Sequence, residues 1–514
     1  MRFYQIEQHP LRVYIQGEVY EIQRLISSLD YKLNGEATVH EKSYKKDTEE
    51  LENIVLKSKS DYYYFPIGLL TIVRAEAERL GYEVVSDVEL SNPQYEFSAI
   101  DENFLDGITL RPYQLEGIEA CLRYHKGLIQ VATGGGKTEI MIGVCRYLQQ
   151  NEEGNILICV PSSKLLHQTV DRMKERGIEE KDISLFGDGY ALNTSCRIAV
   201  GTVQTVYRRI SSSDENTQSW LHNVRCLMMD EAQHSAAITW YSIIDYIAPE
   251  YNLGFSAEPF YGDKDHVVRD LILRGTVGSV IHRIPMNYLI EKGYLSKPYM
   301  LALETRYNGN IYKLIDWHTV NKTGVINNQL RNQLICDTAI RLASIGKPPL
   351  ILISQIAHGQ ELAKKISQGG FLVAFLTGGH SVTVYSDGRE IDSYTDSEGM
   401  VTKDFQEGKY GALIGTSIMD EGVDIPAISS VILAGAGKSS LKLVQRVGRG
   451  LRIKKGDNTT MIIDFQDKFN IVLHSQFKKR KAKFESMGIP IYFCKTVDGL
   501  ESLVNQLRDS RKGL

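Results

Sequence analysis

Short apolar runs alternate with helical patterns along most of the chain, in two series. In the first, Leu128–Val131, Ile156–Val160, Ile198–Val200, Cys226–Met229 and Leu253–Phe255 each precede a loop of small or polar residues. Continuous apolar runs of this kind read as strands covered on both faces, and their alternation with helices predicts a parallel, doubly wound sheet from about Leu110 to Pro298. A polar connection around Asn308–Asn328 follows. The pattern then restarts with Leu350–Ile353, Leu372–Leu376, Ala412–Ile414, Val431–Leu433 and Met461–Ile463. The expected fold class is therefore α/β, with two tandem parallel-sheet domains at 91–300 and 301–514, preceded by a small mixed α+β domain at 1–90.

The N-terminal domain closes with a readable helix. Pro66 suits a first turn, Ile67, Leu70, Val73, Ala77 and Leu80 recur at helical spacing, and Gly81 ends it. The polar stretch Ser86–Thr109 reads as a linker. Beyond Leu372–Leu376, Val382–Ile391 alternates around Asp387-Gly388, which predicts a β-hairpin with a tight turn. Such a hairpin is either a strand-separating wedge or an ordinary surface feature. Tyr62, Tyr63, Tyr64 and Phe65 read either as stacking partners for bases or as a buried aromatic strand.

Composition narrows the class. Of 514 residues, 43% are hydrophobic and 24% charged, which excludes a collagen, a coiled coil or a disordered chain. No run approaches the roughly 18 apolar residues of a membrane span, and Met1–Glu7 lacks an apolar signal core. Seven scattered cysteines, odd in number and without a Cys-x-x-Cys pair, argue against zinc and disulfides. A cytoplasmic protein is expected, in the host cytoplasm if the chain is viral, with no membrane partner. The net charge is −4, so a nucleic-acid partner would need local basic patches.

Three motifs carry the chemistry. Val131-Ala132-Thr133-Gly134-Gly135-Gly136-Lys137-Thr138 lies between a predicted strand and a predicted helix. Glycines let backbone N–H groups wrap phosphates, and the helix N-terminus adds positive dipole. Lys137 is the candidate for the β/γ-phosphates and Thr138 for Mg²⁺; Val131 stands where the strict pattern has glycine. Asp230-Glu231-Ala232-Gln233-His234 directly follows a strand, which places Asp230 to hold Mg²⁺ and Glu231 to activate water. Together these predict an NTPase using ATP and Mg²⁺. In the second sheet, Gln445-Arg446-Val447-Gly448-Arg449-Gly450-Leu451-Arg452 supplies arginines suited to charge on a transferring phosphoryl group.

These motifs resemble, in order, those of the superfamily 2 helicases and translocases, over about residues 108–485. The resemblance implies two RecA-like domains that share one ATP. Leu110–Gln114 is similar to the adenine-reading segment, with Gln114 as reader. Pro161-Ser162-Ser163 and Gly201–Thr205 resemble the segments that touch a nucleic-acid backbone, which implies contacts from Pro161, Ser162, Thr202 and Gln204. Phe255–Pro259 resembles the motif that couples hydrolysis to movement, though Glu258 stands where the family has a hydroxyl residue; Gln233, His234 and Ser256 are the coupling candidates. Gly415–Pro426 resembles motif V, implying Thr416 and Ser417 for nucleic acid and Gly422 and Asp424 for nucleotide. The arginine segment matches motif VI, implying Arg449 and Arg452 as γ-phosphate fingers, with Gln445 beside the nucleotide in place of the usual histidine.

Leu289–Leu295 resembles the type III restriction, XPB and phage UvsW group of duplex-DNA translocases, and Tyr64–Leu70 with its following helix resembles the UvsW substrate domain. The expected function is an ATP-dependent DNA helicase or translocase, monomeric in solution, that remodels branched or junction DNA in recombination, repair or replication. Between Leu441 and Phe484, twelve Lys and Arg against three acids form a candidate phosphate track. The alternatives are an RNA or RNA–DNA hybrid helicase, the motor half of a restriction enzyme, and a non-hydrolysing nucleic-acid clamp.

Overall fold

The computed structural model describes residues 1–6, 9–34, 54–58, 62–88, 94–233, 237–260, 267–378, 381–396, 399–416, 428–435 and 459–494. It holds three sheets. The first combines β1 (Arg2–Ile6), β2 (His9–Gln16), β3 (Leu56–Lys57), β4 (Tyr63–Pro66) and β5 (Val85–Ser86) in the order β3-β4-β2-β1-β5. Only the β1–β5 pair is parallel. Phe3, Val13, Leu25, Leu29, Phe65 and Val73 make the core between this sheet and the helices Val19–Asn34 and Leu70–Arg79. The second helix begins after a 3₁₀ turn, Ile67–Leu69, and ends as expected at Gly81, whose φ of +88° suits only glycine well.

That core does not stop at the N-terminal domain. Tyr241, Val268 and Ile272 of the next domain belong to it. Gly68 and Gly275 press backbone on backbone: a Cβ on Gly68 would lie 2.6 Å from the Gly275 carbonyl oxygen, and one on Gly275 2.5 Å from Leu69. Arg12 on β2 closes the seam through both carboxylate oxygens of Asp245, and its guanidinium lies 4.6 Å from the Tyr64 ring centroid. Tyr64 and Phe65 are thus members of a buried aromatic strand, while Tyr62 is exposed. Residues 1–90 are part of one compact unit that runs to Pro285.

The stretch read as a linker is fastened too. From Gln94 to Leu110 it has no strand or helix, yet Tyr95 stacks on His125 at 3.6 Å, Ser98 N–H donates to Tyr147 Oη at 2.9 Å, and Leu105 is buried.

The second sheet is wholly parallel: β6 (Lys126–Val131), β7 (Asn155–Val160), β8 (Ile183–Phe186), β9 (Ile198–Thr202), β10 (Val224–Asp230), β11 (Tyr251–Ser256) and β12 (Val280–Ile284), in the order β12-β6-β11-β10-β7-β9-β8. All five expected strands are present. The two unexpected ones, β8 and β12, lie at the edges, where one flank needs no apolar cover and the hydrophobic signal fades.

From Met286 onward the chain belongs to the second unit. Its sheet contains β13 (Lys297–Glu304), β14 (Pro349–Ile353), β15 (Val373–Leu376), β16 (Ser381–Ser386), β17 (Arg389–Thr395), β18 (Ala412–Thr416), β19 (Ser430–Leu433), β20 (Thr459–Gln466) and β21 (Ile491–Cys494). The order is β17-β16-β15-β18-β14-β19-β20-β13-β21, parallel except for the antiparallel pairs β15–β16 and β16–β17. A domain boundary at 300 therefore falls inside β13. Pro298 looks like a terminator, but near the start of a strand its missing N–H is tolerated. The polar connection is also structured: a helical turn at Trp317–Val320 runs into a π-helix at Asn321–Ile326, and Val320 and Val325 are buried against Leu473.

The hairpin forms as expected, turning at Asp387 (φ +47°) and Gly388 (φ +76°). It does not stand clear of the domain. β16 pairs with β15, Val382, Val384 and Tyr385 are buried, and Gly388 N–H donates to Ser367 Oγ at 2.9 Å.

Candidate nucleotide site

Parallel strands bring all their C-terminal ends to one edge, and the second sheet uses this fully. Five adjacent strands, β6-β11-β10-β7-β9, end respectively at the glycine loop, Ser256, Asp230-Glu231, Pro161-Ser162 and Thr202. At about 4.8 Å per strand the whole row spans roughly 19 Å. Motifs scattered between Gly134 and Ser256 in the sequence thus become neighbours.

The glycine loop follows β6 and feeds the helix Lys137–Asn151. Gly134 and Gly136 take left-handed φ values of +81° and +83°. A Cβ on Gly136 would stand 2.2 Å from Gln114 Nε2, so the Gln114 amide lies directly against the loop. Gln114 is itself oriented: it is buried, and its Oε1 accepts from Arg111 N–H at 2.9 Å. A cradle of left-handed glycines, a helix N-terminus, a lysine and a buried amide beside them suit a nucleoside triphosphate.

The carboxylates complete it. Lys137 Nζ donates to Glu231 Oε1 at 3.0 Å, with both side chains nearly buried. Glu231 sits in the left-handed region (φ +50°), a strained conformation for a non-glycine residue, and its N–H donates to Asp230 Oδ1 at 2.9 Å. Gln233 Nε2 donates to Glu231 Oε2 at 2.7 Å, and Ser256 Oγ donates to Gln233 Oε1 at 2.5 Å. Lys137, Glu231, Gln233 and Ser256 therefore form one continuous chain of hydrogen bonds. Asp230 and Thr138 offer the oxygens that suit Mg²⁺.

The candidate backbone-contact residues have local duties as well. Ser162 caps the helix Ser163–Glu175, and Thr202 caps the helix Val203–Arg209 while donating to Thr205 Oγ1 at 2.8 Å. Pro161 is half-buried and Gln204 is exposed. In the second unit Thr416 ends β18 and is buried. His234, Ser417, Gly422, Asp424, Gln445, Arg449 and Arg452 lie outside the described residues.

Sequence reasoning missed Arg269, whose Nη2 donates to the Gln233 carbonyl from the helix Val267–Val277. It belongs to no recognisable motif. The basic stretch also needs correction. Arg480 is buried and bound by Asp464 at 2.7 and 2.9 Å, and Lys468 pairs with Glu304, whereas Lys478 and Lys479 are exposed. Among the described residues no His, Cys, Asp and Glu group is arranged to hold a metal by itself, and every described cysteine is free. No described helix is long and apolar enough to cross a membrane.

Comparison with known proteins gives two family matches. Residues 107–261 match the res subunit of type III restriction enzymes, and residues 358–454 match the helicase conserved C-terminal domain. The chain is 27% identical over 379 residues to the putative ATP-dependent helicase IRC3 of Saccharomyces cerevisiae, covering 69% of this chain and 51% of that protein. It thus spans about half the length of that relative. It is 24% identical over 436 residues to the ATP-dependent DNA helicase uvsW of Enterobacteria phage T4, covering 81% and 82%. The solved structure of S. cerevisiae Dbp5 bound to Gle1 and IP6 aligns with a TM-score of 0.53 at 17% identity, over 77% of this chain and 92% of that one, a likeness of fold.

Proposed function

We propose that the chain is a superfamily 2 helicase, an ATP-dependent DNA motor that remodels branched DNA by unwinding, fork regression or branch migration. The observation that carries the motor half of this reading is the Lys137–Glu231–Gln233–Ser256 chain at the ends of β6, β10 and β11. DNA as the substrate is supported by the similarity to the phage DNA helicase across 81% of the chain.

In this reading Gln114 recognises the adenine, the N–H groups of Gly134–Gly136 and Lys137 hold the β- and γ-phosphates, and Thr138 and Asp230 hold Mg²⁺. The metal, when bound, supplies charge neutralisation on the phosphates. Glu231 orients the attacking water and takes its proton, and Gln233 keeps that carboxylate in place. Arg449 and Arg452 stabilise the charge on the transferring phosphoryl group, a contribution of about 10³–10⁵ in rate in comparable chemistry. Pro161, Ser162, Thr202, Gln204, Thr416 and Ser417 are the candidates for contact with the nucleic-acid backbone, so binding is expected to be nearly independent of sequence and to weaken with salt.

The test is strand exchange on a labelled four-way junction, with Glu231→Gln as blank. ATP-dependent conversion of the junction to duplex products is expected. Conversion that proceeds equally without ATP, or not at all while RNA duplexes are unwound, refutes the reading.

A further inference from the structure

The helix Val267–Val277 touches two functional regions at once. Toward the nucleotide site, Arg269 Nη2 donates to the Gln233 carbonyl, and Asp270 Oδ1 lies 3.7 Å from Arg269 Nη1. Gln233 is the residue whose side chain bridges Glu231 Oε2 and Ser256 Oγ. Fixing its backbone fixes the direction from which that amide holds the carboxylate. Toward the N-terminal domain, Val268 and Ile272 lie in one core with Leu69, Leu70 and Val73, and Gly275 has Leu69 and the Gly68 backbone against it. From Arg269 to Gly275 the helix rises only about 9 Å.

We propose that Arg269 is a positioning residue for ATP hydrolysis, and that through its helix the N-terminal domain sets the placement of Glu231. The inference rests on the ATPase reading above. Arg269 touches no reacting atom; it acts on Gln233, and Gln233 on Glu231. At Gly68 and Gly275 the backbones themselves meet, and Leu69, Leu70, Val73, Val268 and Ile272 are buried around that contact, so a shift of the N-terminal domain moves the helix with it. A misplacement of about 1 Å at a reacting group costs on the order of a hundredfold in rate. A DNA strand engaged by the N-terminal domain thereby gains a direct route to the hydrolytic carboxylate.

Full-length Arg269→Gln and Arg269→Lys are compared with wild type by steady-state ATPase at saturating single-stranded DNA. The expected result for Arg269→Gln is a fall in kcat of about tenfold or more, as for loss of one charged hydrogen bond, with KM for ATP within about twofold. Arg269→Lys, which keeps a charged donor of comparable reach for the Gln233 carbonyl, recovers part of the rate. Wild-type kcat in Arg269→Gln overturns the proposal, as does a parallel loss of kcat and ATP affinity that lysine does not relieve.

If Arg269→Gln does not fold, Leu69→Val decides, since it leaves every residue of the nucleotide site unchanged. Faster amide exchange at Glu231 and Ala232 with lower kcat and constant KM is expected; unchanged exchange and kcat overturn the proposal. Wild-type protein that hydrolyses no ATP with any nucleic acid defeats the ATPase reading together with this inference. Wild type that hydrolyses, beside an Arg269→Gln that does so equally well, defeats this inference alone.

Discussion

Lys137 donates to Glu231 across 3.0 Å, and that contact joins the ends of β6 and β10, two strands separated by β11. One partner comes from the glycine loop and the other from the acidic motif, 94 residues later. Their meeting places an ammonium and a carboxylate in the same small volume, as the proposed roles of phosphate ligand and water-activating base require.

The two residues should fail differently when changed. Glu231→Gln keeps the shape and the contact with Gln233 while removing the base, so ATP should still bind and turnover should drop by about 10²–10⁴. Lys137→Ala removes a phosphate ligand, so affinity and turnover should fall together. Equilibrium binding of a fluorescent ATP analogue beside phosphate release separates the cases; retained turnover in either variant rejects the assignment.

Arg12 and Asp245 provide a test of the fused N-terminal domain. Burial by itself pulls the Arg12 guanidinium down, but the hydrogen bonds and charge of Asp245 outweigh it and hold the group well above its ordinary value. Asp245→Ala strands that cation against Tyr64 and Tyr241. A loss of about 2–3 kcal/mol is expected in denaturant unfolding of the first unit, reduced from a full buried pair because Arg12 keeps some solvent contact. An unchanged midpoint would mean the seam does not hold the domain.

Acid should destabilise both units through histidine. Burial lowers His125, between the Tyr95 and Tyr251 rings, to about 4, and lowers His358 to about 3. His358 Nε2 meets Asn332 Oδ1 at 2.9 Å, the bond of a neutral ring that donates from that nitrogen. In the unfolded chain both take a proton near pH 6.5, and in the fold neither does until the lower values are reached. Stability is therefore complete above about pH 6.5 and declines toward pH 4, by at most about 1.4 kcal/mol per pH unit for each group. The His358→Gln variant should show a shallower decline by urea unfolding across that range; an identical slope would contradict this.

The basic C-terminal helix Ile471–Ser486 divides by exposure. Lys478→Glu with Lys479→Glu should weaken DNA binding and reduce the salt slope by about 2, at about 0.9 for each phosphate left without its lysine. Arg480→Ala should instead destabilise the second unit by about 3–5 kcal/mol, because it leaves Asp464 buried and unpaired. Salt titrations of DNA affinity and thermal melts distinguish the two, and an unaltered salt slope removes these lysines from the DNA path.

Much of this was readable in the chain. Every internal strand of the second sheet was visible, because a strand covered on both faces has no polar position to blur it. The edge strands β8 and β12 were not, and neither was β13, whose Pro298 imitates a stop. Long-range partnerships left no trace: Arg12 and Asp245 lie 233 residues apart, and Arg269 and Gln233 share no pattern. Charge alone misled at Arg480, since a count of basic residues cannot tell a phosphate ligand from a buried ion pair. The hairpin was legible but its attachment was not; removing residues 381–394 would take three buried side chains, Val382, Val384 and Tyr385, from the sheet. Deletion should therefore damage ATPase along with unwinding, and exposed positions such as Ile391 are the better probes of a wedge.

A DNA motor directed to branched substrates should reveal itself in steady-state ATPase with no nucleic acid, single-stranded DNA, linear duplex, a four-way junction or single-stranded RNA, with Glu231→Gln as the blank. Stimulation should be greatest with the four-way junction and nil in the blank. Greatest stimulation by RNA, or equal turnover with and without any nucleic acid, would show that the chain is not such a motor.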